Sequence, residues 1–239
     1  MTVPAGPDPA PDSNGAVILA VDTTSEHGSL ALLASGELLE EIRVHSPEGF
    51  GHRIFQEIAA LLARHGIRAG DIACFAAAAG PGSFTGVRVG LAAIKGLAEA
   101  TGRPAVAVSN LETLATFGAA PNRAVLIEAR RGQIYGAVYD SAGRLVVPES
   151  VEKFATWLET LPAGLLSAGI EFVTSGFTPL LAGTRFERAP VTLAPPALAA
   201  AVARIACERW RRGEAQDPAS LDANYVRRSD AELFWKDEP

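Results

Sequence analysis

Cysteine is almost absent from this chain, with only Cys74 and Cys207 in 239 residues. Two isolated thiols exclude a disulfide scaffold and point to a reducing compartment. Basic residues are outnumbered, 21 Lys and Arg against 27 Asp and Glu, for a net charge of −6. A domain that holds nucleic acid by its own surface field is normally basic. Any such contact is therefore expected to be indirect or weak and to run through a partner. Long apolar runs are missing too: Ala16 to Val21 is far too short to span a bilayer. Residues 1–15 carry Pro4, Pro7, Pro9 and Pro11 without the apolar stretch of a signal peptide, and read as a disordered tail. The chain is expected to be cytoplasmic, with no membrane association. Its four histidines, His27, His45, His52 and His65, include no i, i+4 pair, so no helical metal site is expected.

What is present is an ordinary globular composition, 48% hydrophobic and 20% charged. Ala16–Asp22 is a continuous apolar run of buried-strand type, followed by strands over Gly28–Ala34 and Glu37–Val44 joined at Ser35-Gly36. Over Gly51–His65 the period changes: Ile54, Ile58, Leu61 and Leu62 form one helical stripe with Phe55 and Ala59 beside it, and Gly66 ends it. A strand over Asp71–Ala79, a helix over Val87–Thr101, a strand over Pro104–Val108 and a short helix over Leu111–Phe117 complete the first half. The pattern then restarts with strands at Ala124–Ala129, Gln133–Tyr139 and Arg144–Glu149. A helix over Val151–Thr160, a strand over Glu171–Thr174 and a long helix over Pro196–Arg212 follow.

A shift of about 107 positions superposes the two starts, the kind of internal repeat sought before any fold is assigned. Ile18 then meets Val125, Ala31 meets Val138, Gly36 meets Gly143 and Leu38 meets Leu145. Three antiparallel strands, then helix and parallel strand, repeated, outline an α/β fold of two tandem ribonuclease-H-like lobes, the plan of the actin-like ATPase superfamily. The expected lobes are residues 16–108 and 109–239. Topology alone does not assign function.

Two turns invite a nucleotide. Gly80-Pro81-Gly82-Ser83-Phe84-Thr85-Gly86 lies between a strand and a helix, as anion-binding loops do. It lacks the Gly-Lys-Ser/Thr ending of a P-loop, and its glycine spacing is one residue too long for a dinucleotide loop. No acid follows Pro104–Val108 to hold a ribose, since Ser109-Asn110 stands there. The plainer reading is a tight turn with Thr85 capping the helix. Asp22-Thr23-Thr24-Ser25 occupies the place of the phosphate-facing turn of kinases with this fold, yet the needed glycine comes late, at Gly28. The matching turn of the second half, Arg130-Arg131-Gly132, has no carboxylate, so a paired-carboxylate Mg²⁺ site is not evident. Asp22, Thr23, Thr24, Gly82, Ser83, Thr85, Gly86, Arg130 and Arg131 are the candidates for facing a nucleotide or anion.

The helix Val87–Thr101 is apolar over most of its circumference, with Arg88, Lys95 and Glu99 on one narrow stripe beside Ala92. Such a helix is buried on several sides or leaves a patch for a partner.

From Ile18-Leu19-Ala20-Val21-Asp22-Thr23-Thr24 through Gly80-Pro81-Gly82-Ser83-Phe84-Thr85-Gly86-Val87-Arg88-Val89-Gly90-Leu91, the chain resembles the TsaB (YeaZ) family. The likeness continues at Val108-Ser109-Asn110-Leu111-Glu112, Ala129-Arg130-Arg131-Gly132-Gln133-Ile134-Tyr135 and Tyr225-Val226-Arg227. Glu128 stands where the family usually has aspartate, and Ala223 where it usually has proline. The resemblance implies a non-catalytic subunit of the bacterial tRNA threonylcarbamoyladenosine complex. Such a subunit supports a TsaD-like enzyme that carries a histidine-bound metal, and a TsaE-like ATPase joins them. It also implies a docking surface on the helices at Gly51–His65 and Gly86–Thr101, with Phe55, Ile58, Leu62, Arg88, Leu91, Ile94, Lys95 and Ala98 as its residues. Self-association through these helices when the partner is absent is a third option. No cofactor is expected, save a nucleotide at a shared interface. The alternative is a stand-alone ATPase or glycoprotease-like hydrolase, suggested by the fold and the two turns.

Overall fold

The computed structural model describes residues 15–129 and 131–226. Strands β1 (Val17–Asp22), β2 (His27–Ala34) and β3 (Glu37–His45) form an antiparallel meander, and helix α1 (Ile54–Arg64) leads to β4 (Ile72–Ala78). Helix α2 (Phe84–Thr101), β5 (Ala105–Val108) and α3 (Asn110–Ala115) follow. The second series is β6 (Asn122–Glu128), β7 (Gln133–Asp140), β8 (Leu145–Lys153), α4 (Phe154–Thr160), α5 (Gly164–Ala168), β9 (Ile170–Thr174), β10 (Val191–Leu193) and α6 (Ala199–Arg211). The sheet orders are β3-β2-β1-β4-β5 and, read in the same sense, β8-β7-β6-β9-β10. In both, the first strand pairs antiparallel with the second and parallel with the fourth. The expected tandem ribonuclease-H-like fold is this duplication, complete in its strands, although no helix between β9 and β10 answers to α2.

Burial on both faces explains the unbroken apolar strands. With a side-chain period of two, Leu19 and Val21 of β1 face the helices α1 and α2, while Ile18 and Ala20 face α6. β2 divides likewise, Leu30 and Leu32 to one side, Ala31 and Leu33 to the other. The α6 side is rich in alanine, with Ala20, Ala31, Ala76 and Ala78 of the sheet meeting Ala199, Ala203 and Ala206 of the helix. In the second lobe, Ala124 and Leu126 lie with Trp157 and Leu165, whereas Val125 lies with Leu111 and Leu114 of α3.

Each lobe thus lends its last helix to the other. Helix α3, which follows the first sheet, packs under the second, and α6, which follows the second sheet, packs on the first. Residues 199–211, expected with the second lobe, therefore belong physically to the first. The two exchanged helices are tied together by Arg209, whose Nη2 donates to both carboxylate oxygens of Glu112 at 2.7 and 2.6 Å.

Four local expectations change. The helix expected over Val151–Thr160 begins at Phe154, because Tyr135↔Val151 and Gln133↔Lys153 continue the β7–β8 ladder. Pro148 is tolerated in β8 because that strand is an edge. Strand β10 and helix α5 carry no clear period in sequence and were not expected; β10 is only three residues long. Helix α2 starts at Phe84, with Ser83 and not Thr85 as its cap: Ser83 Oγ accepts the Gly86 N–H at 3.3 Å. The proline-rich tail expected over 1–15 lies almost wholly outside the described residues, as does Arg227.

Candidate functional site

The carboxyl ends of β1 and β4 bring both candidate turns together, and they close on each other. Asp22 Oδ1 accepts the Thr24 N–H at 2.9 Å and the Thr24 hydroxyl at 2.6 Å. Asn110 donates from Nδ2 to Thr24 Oγ1 at 2.6 Å and accepts the Gly80 N–H at 2.9 Å. Thr23 Oγ1 donates to the Gly86 carbonyl at 2.7 Å, and the Ser83 N–H to the Thr24 carbonyl at 2.7 Å. Burial raises the Asp22 pKa above the usual aspartate value, partly offset by the two Thr24 hydrogen bonds.

The glycines of the loop serve this closure. A Cβ on Gly86 would stand 1.9 Å from the Thr23 carbonyl oxygen, one on Gly82 2.7 Å from that of Thr24, and one on Gly90 2.5 Å from Thr23 Oγ1. Only glycine lets the start of α2 approach the Thr23–Thr24 backbone this closely. Ser83 and Thr85 are exposed beside it. Arg131 is an exposed residue at φ 54° in the β6–β7 turn, and Arg130 lies outside the described residues. Among the described residues, no group of three or more His, Cys, Asp or Glu side chains is placed to hold a metal ion.

The helical surface differs from expectation more sharply. Ile58, Leu62, Leu91, Ile94 and Ala98, named as docking residues, are core: all are 7% exposed or less and pack against Leu19, Val21 and Phe75. They cannot meet a partner without unfolding the lobe. Lys95 is committed internally as well, its Nζ donating to the Ala219 and Leu221 carbonyls at 3.2 and 2.9 Å. Only Phe55, 55% exposed, and Arg88 face solvent. Helix α2 is apolar on most sides because it meets the sheet, α1 and the returning segment 216–226.

Beyond Phe84 at its start, the apolar residues that α2 exposes are small. Thr85, Ala92, Gly96 and Ala100 face solvent beside Arg88 and Glu99, and a Cβ at Gly96 would meet nothing within 4 Å. On the neighbouring α1, Phe55, Ala59 and Ala63 form an exposed stripe at i, i+4, i+8. On the other flank, Pro218 and Ala219 lie against Lys95, Gly96 and Glu99 around a shallow apolar depression. At the N-terminal end of the helix, the Arg88 guanidinium lies 3.7 Å from the Phe84 ring centroid and donates from Nε to Tyr225 Oη at 3.0 Å. Phe84 and Tyr225 are both nearly half exposed.

Sequence reasoning missed the polar joint between the lobes. Glu149 Oε1 accepts the hydroxyls of Ser109 and Tyr139 at 2.5 and 2.7 Å, and Oε2 accepts Asn224 Nδ2 at 2.7 Å. Burial, together with that hydrogen bond to Glu149, pushes the Tyr139 pKa up. Asn224 also donates from its backbone to Ala79 O at 2.8 Å. A glutamate on an edge strand gives no local sign of such partners; the Tyr225 tail segment was the one available pointer.

Comparison with known proteins follows the same chain. A family model described as TsaD, tRNA N6-adenosine threonylcarbamoyltransferase, matches residues 47–192. The protein named TsaB, for tRNA threonylcarbamoyladenosine biosynthesis, from Bacillus subtilis is 35% identical over 149 residues, covering 60% of this chain and 65% of that one. Its Escherichia coli namesake is 36% identical over 126 residues, 51% of this chain and 54% of that one. The solved structure of YeaZ from Pseudomonas aeruginosa superposes with a TM-score of 0.71 at 29% identity, covering 88% of this chain and 99% of that one. The chain belongs to this family, on its TsaB/YeaZ branch. Its sequence match to each of the two curated TsaB proteins spans less than two thirds of that relative's length. The TsaB/YeaZ likeness extends over both lobes in the structural superposition, and the exposed α1–α2 face lies inside the stretch that the family model matches.

Proposed function

We propose that this chain is the partner subunit of a TsaD-type threonylcarbamoyltransferase and turns over no substrate alone. On this reading it supports formation of threonylcarbamoyladenosine beside the anticodon of tRNA. One observation carries the reading: an exposed face of small residues on α2, Ala92 and Gly96, together with the exposed stripe of Phe55, Ala59 and Ala63 on the neighbouring α1. Small side chains let a second helix approach closely, since interaxial distance is set by the side chains at the contact. An apolar face left in water is favourable to cover.

A TsaE-like ATPase joins the assembly, and in the partner's absence the same face pairs two copies of this chain. Contact with tRNA runs through the partner, in keeping with the net charge of −6. The chain has no cofactor of its own, and a nucleotide belongs to the interface it shares. The setting is the cytoplasm, which agrees with two buried, unbridged cysteines. The rival reading, a stand-alone ATPase or hydrolase, is disfavoured by the likeness to proteins named TsaB and YeaZ.

Mixed with the TsaD-type protein of the same genome, the chain should elute with it in size-exclusion chromatography with light scattering. Ala92→Arg should elute alone and folded. Separate elution of the wild-type chain would refute the proposal, and ATP hydrolysis abolished by Asp22→Ala would support the rival.

A further inference from the structure

His27 and His45 are 18 positions apart, a spacing that suggests nothing in a helix or along one strand. The β2–β3 register makes them direct cross-strand partners. Their Nδ1 atoms lie 3.1 Å apart and their ring centroids 4.5 Å apart, with the planes inclined by 23°. Both side chains are exposed at the open end of the hairpin, beside the Asp22–Ser25 turn. Glu26 adds a carboxylate oxygen 3.6 Å from the far nitrogen of His27.

A hydrogen bond at that separation needs one Nδ1 to donate and the other to accept, with the roles set by the ring tautomers. A metal ion can take the proton's place, because neutral imidazole is a ligand for Zn, Cu and Ni. With metal–nitrogen bonds of about 2.0–2.1 Å, the observed separation subtends about 95–102° at the ion, between the right angle of a tetragonal site and the tetrahedral angle. Nitrogen donors bind Ni²⁺ and Cu²⁺ more tightly than the earlier first-row divalent ions, which makes these two the foremost candidates. The rings are stacked, so both must turn before their in-plane lone pairs converge on one ion, and both are exposed at the hairpin end.

We infer that His27 and His45 form a two-histidine surface site for a first-row divalent cation, Ni²⁺ or Cu²⁺ foremost. Water or a carboxylate completes the shell. The bound ion staples the start of β2 to the end of β3. This site is independent of the α1–α2 face, so its test does not depend on the partner reading.

The test is a calorimetric titration of Ni²⁺ into the untagged full chain, with a melting curve at each ion concentration. The wild type should bind one equivalent and melt higher with ion, since binding to the folded state alone raises stability. His27→Gln and His45→Gln should each weaken that binding at least tenfold and lose the shift, while His52→Gln keeps both. Absence of a one-equivalent site in the wild type, or its survival in either variant, would overturn the inference.

Discussion

The hydroxyl oxygen of Ser29, in the middle of the first sheet, accepts the backbone N–H of Ala199 at 2.9 Å, 170 residues further along the chain. It also accepts the Leu198 N–H at 3.1 Å, and Glu41 accepts that of Ala200 at 2.8 Å. The start of α6 has no capping side chain of its own. Its orphan donors are met by the lobe it visits, with the Glu41 carboxylate at the positive end of the helix. This fixes where α6 docks, and so how the lobes are joined. Ser29→Ala removes two buried hydrogen bonds and should cost about 1–2 kcal/mol. Urea unfolding checks it: the midpoint should fall, and an unchanged midpoint would mean that the alanine contacts alone seat the helix.

Two glycines of one helix should respond oppositely to the same change. Gly86→Ala forces a methyl to 1.9 Å from the Thr23 carbonyl, so α2 must shift off the Asp22–Thr24 turn. A loss of about 1–3 kcal/mol is expected from overpacking of this kind. Gly96→Ala places the methyl in open space and should gain roughly 0.5–1 kcal/mol from helix propensity. Thermal melts of both variants decide it, and equal effects would contradict the close-approach role of Gly86.

Asp22 gives a pH signature. Burial raises its folded pKa above the unfolded value, so the native state holds the proton more tightly. The contribution is fully present below the ordinary aspartate pKa and is lost as pH rises through the folded value. Asp22→Asn retains an acceptor for Thr24 and removes that loss. The variant should be more stable than wild type at neutral pH, with the difference shrinking toward acid. A difference that grows toward acid would reverse the assignment.

Asn224 and Glu149 make the joint that holds segment 216–226 against both lobes. Asn224→Ala and Glu149→Gln should each raise amide exchange at Asn224, whose N–H donates to Ala79 O, by several-fold. Exchange in β1 should stay slow in both variants.

The fold was legible because the repeat is written in hydrophobic rhythm: Ile18 to Val125 and Gly36 to Gly143 mark equivalent elements. The exchange of α3 and α6 was not, since Ser29 meeting Leu198 is a contact that no local pattern carries. The residues expected to dock a partner were mostly read from the wrong side of their helices. Apolar periodicity identifies the face that packs on the sheet, so Leu91 and Ile94 stood out and proved to be core. The outer face carries Ala92 and Gly96, residues whose smallness is uninformative until the helix is placed. The cross-strand pairing of His27 with His45 was hidden likewise, because a strand register cannot be read from one strand.

The most direct test is the dissociation constant for the TsaD-type partner of the wild-type chain and of Gly96→Arg, by interferometry, with melting temperatures alongside. Gly96 opens to empty space, so the arginine should leave the fold intact while its bulk and charge bar a partner helix from α2. The account expects an unchanged melt and a dissociation constant raised at least tenfold, about 1.4 kcal/mol. Undiminished binding by folded Gly96→Arg would contradict it.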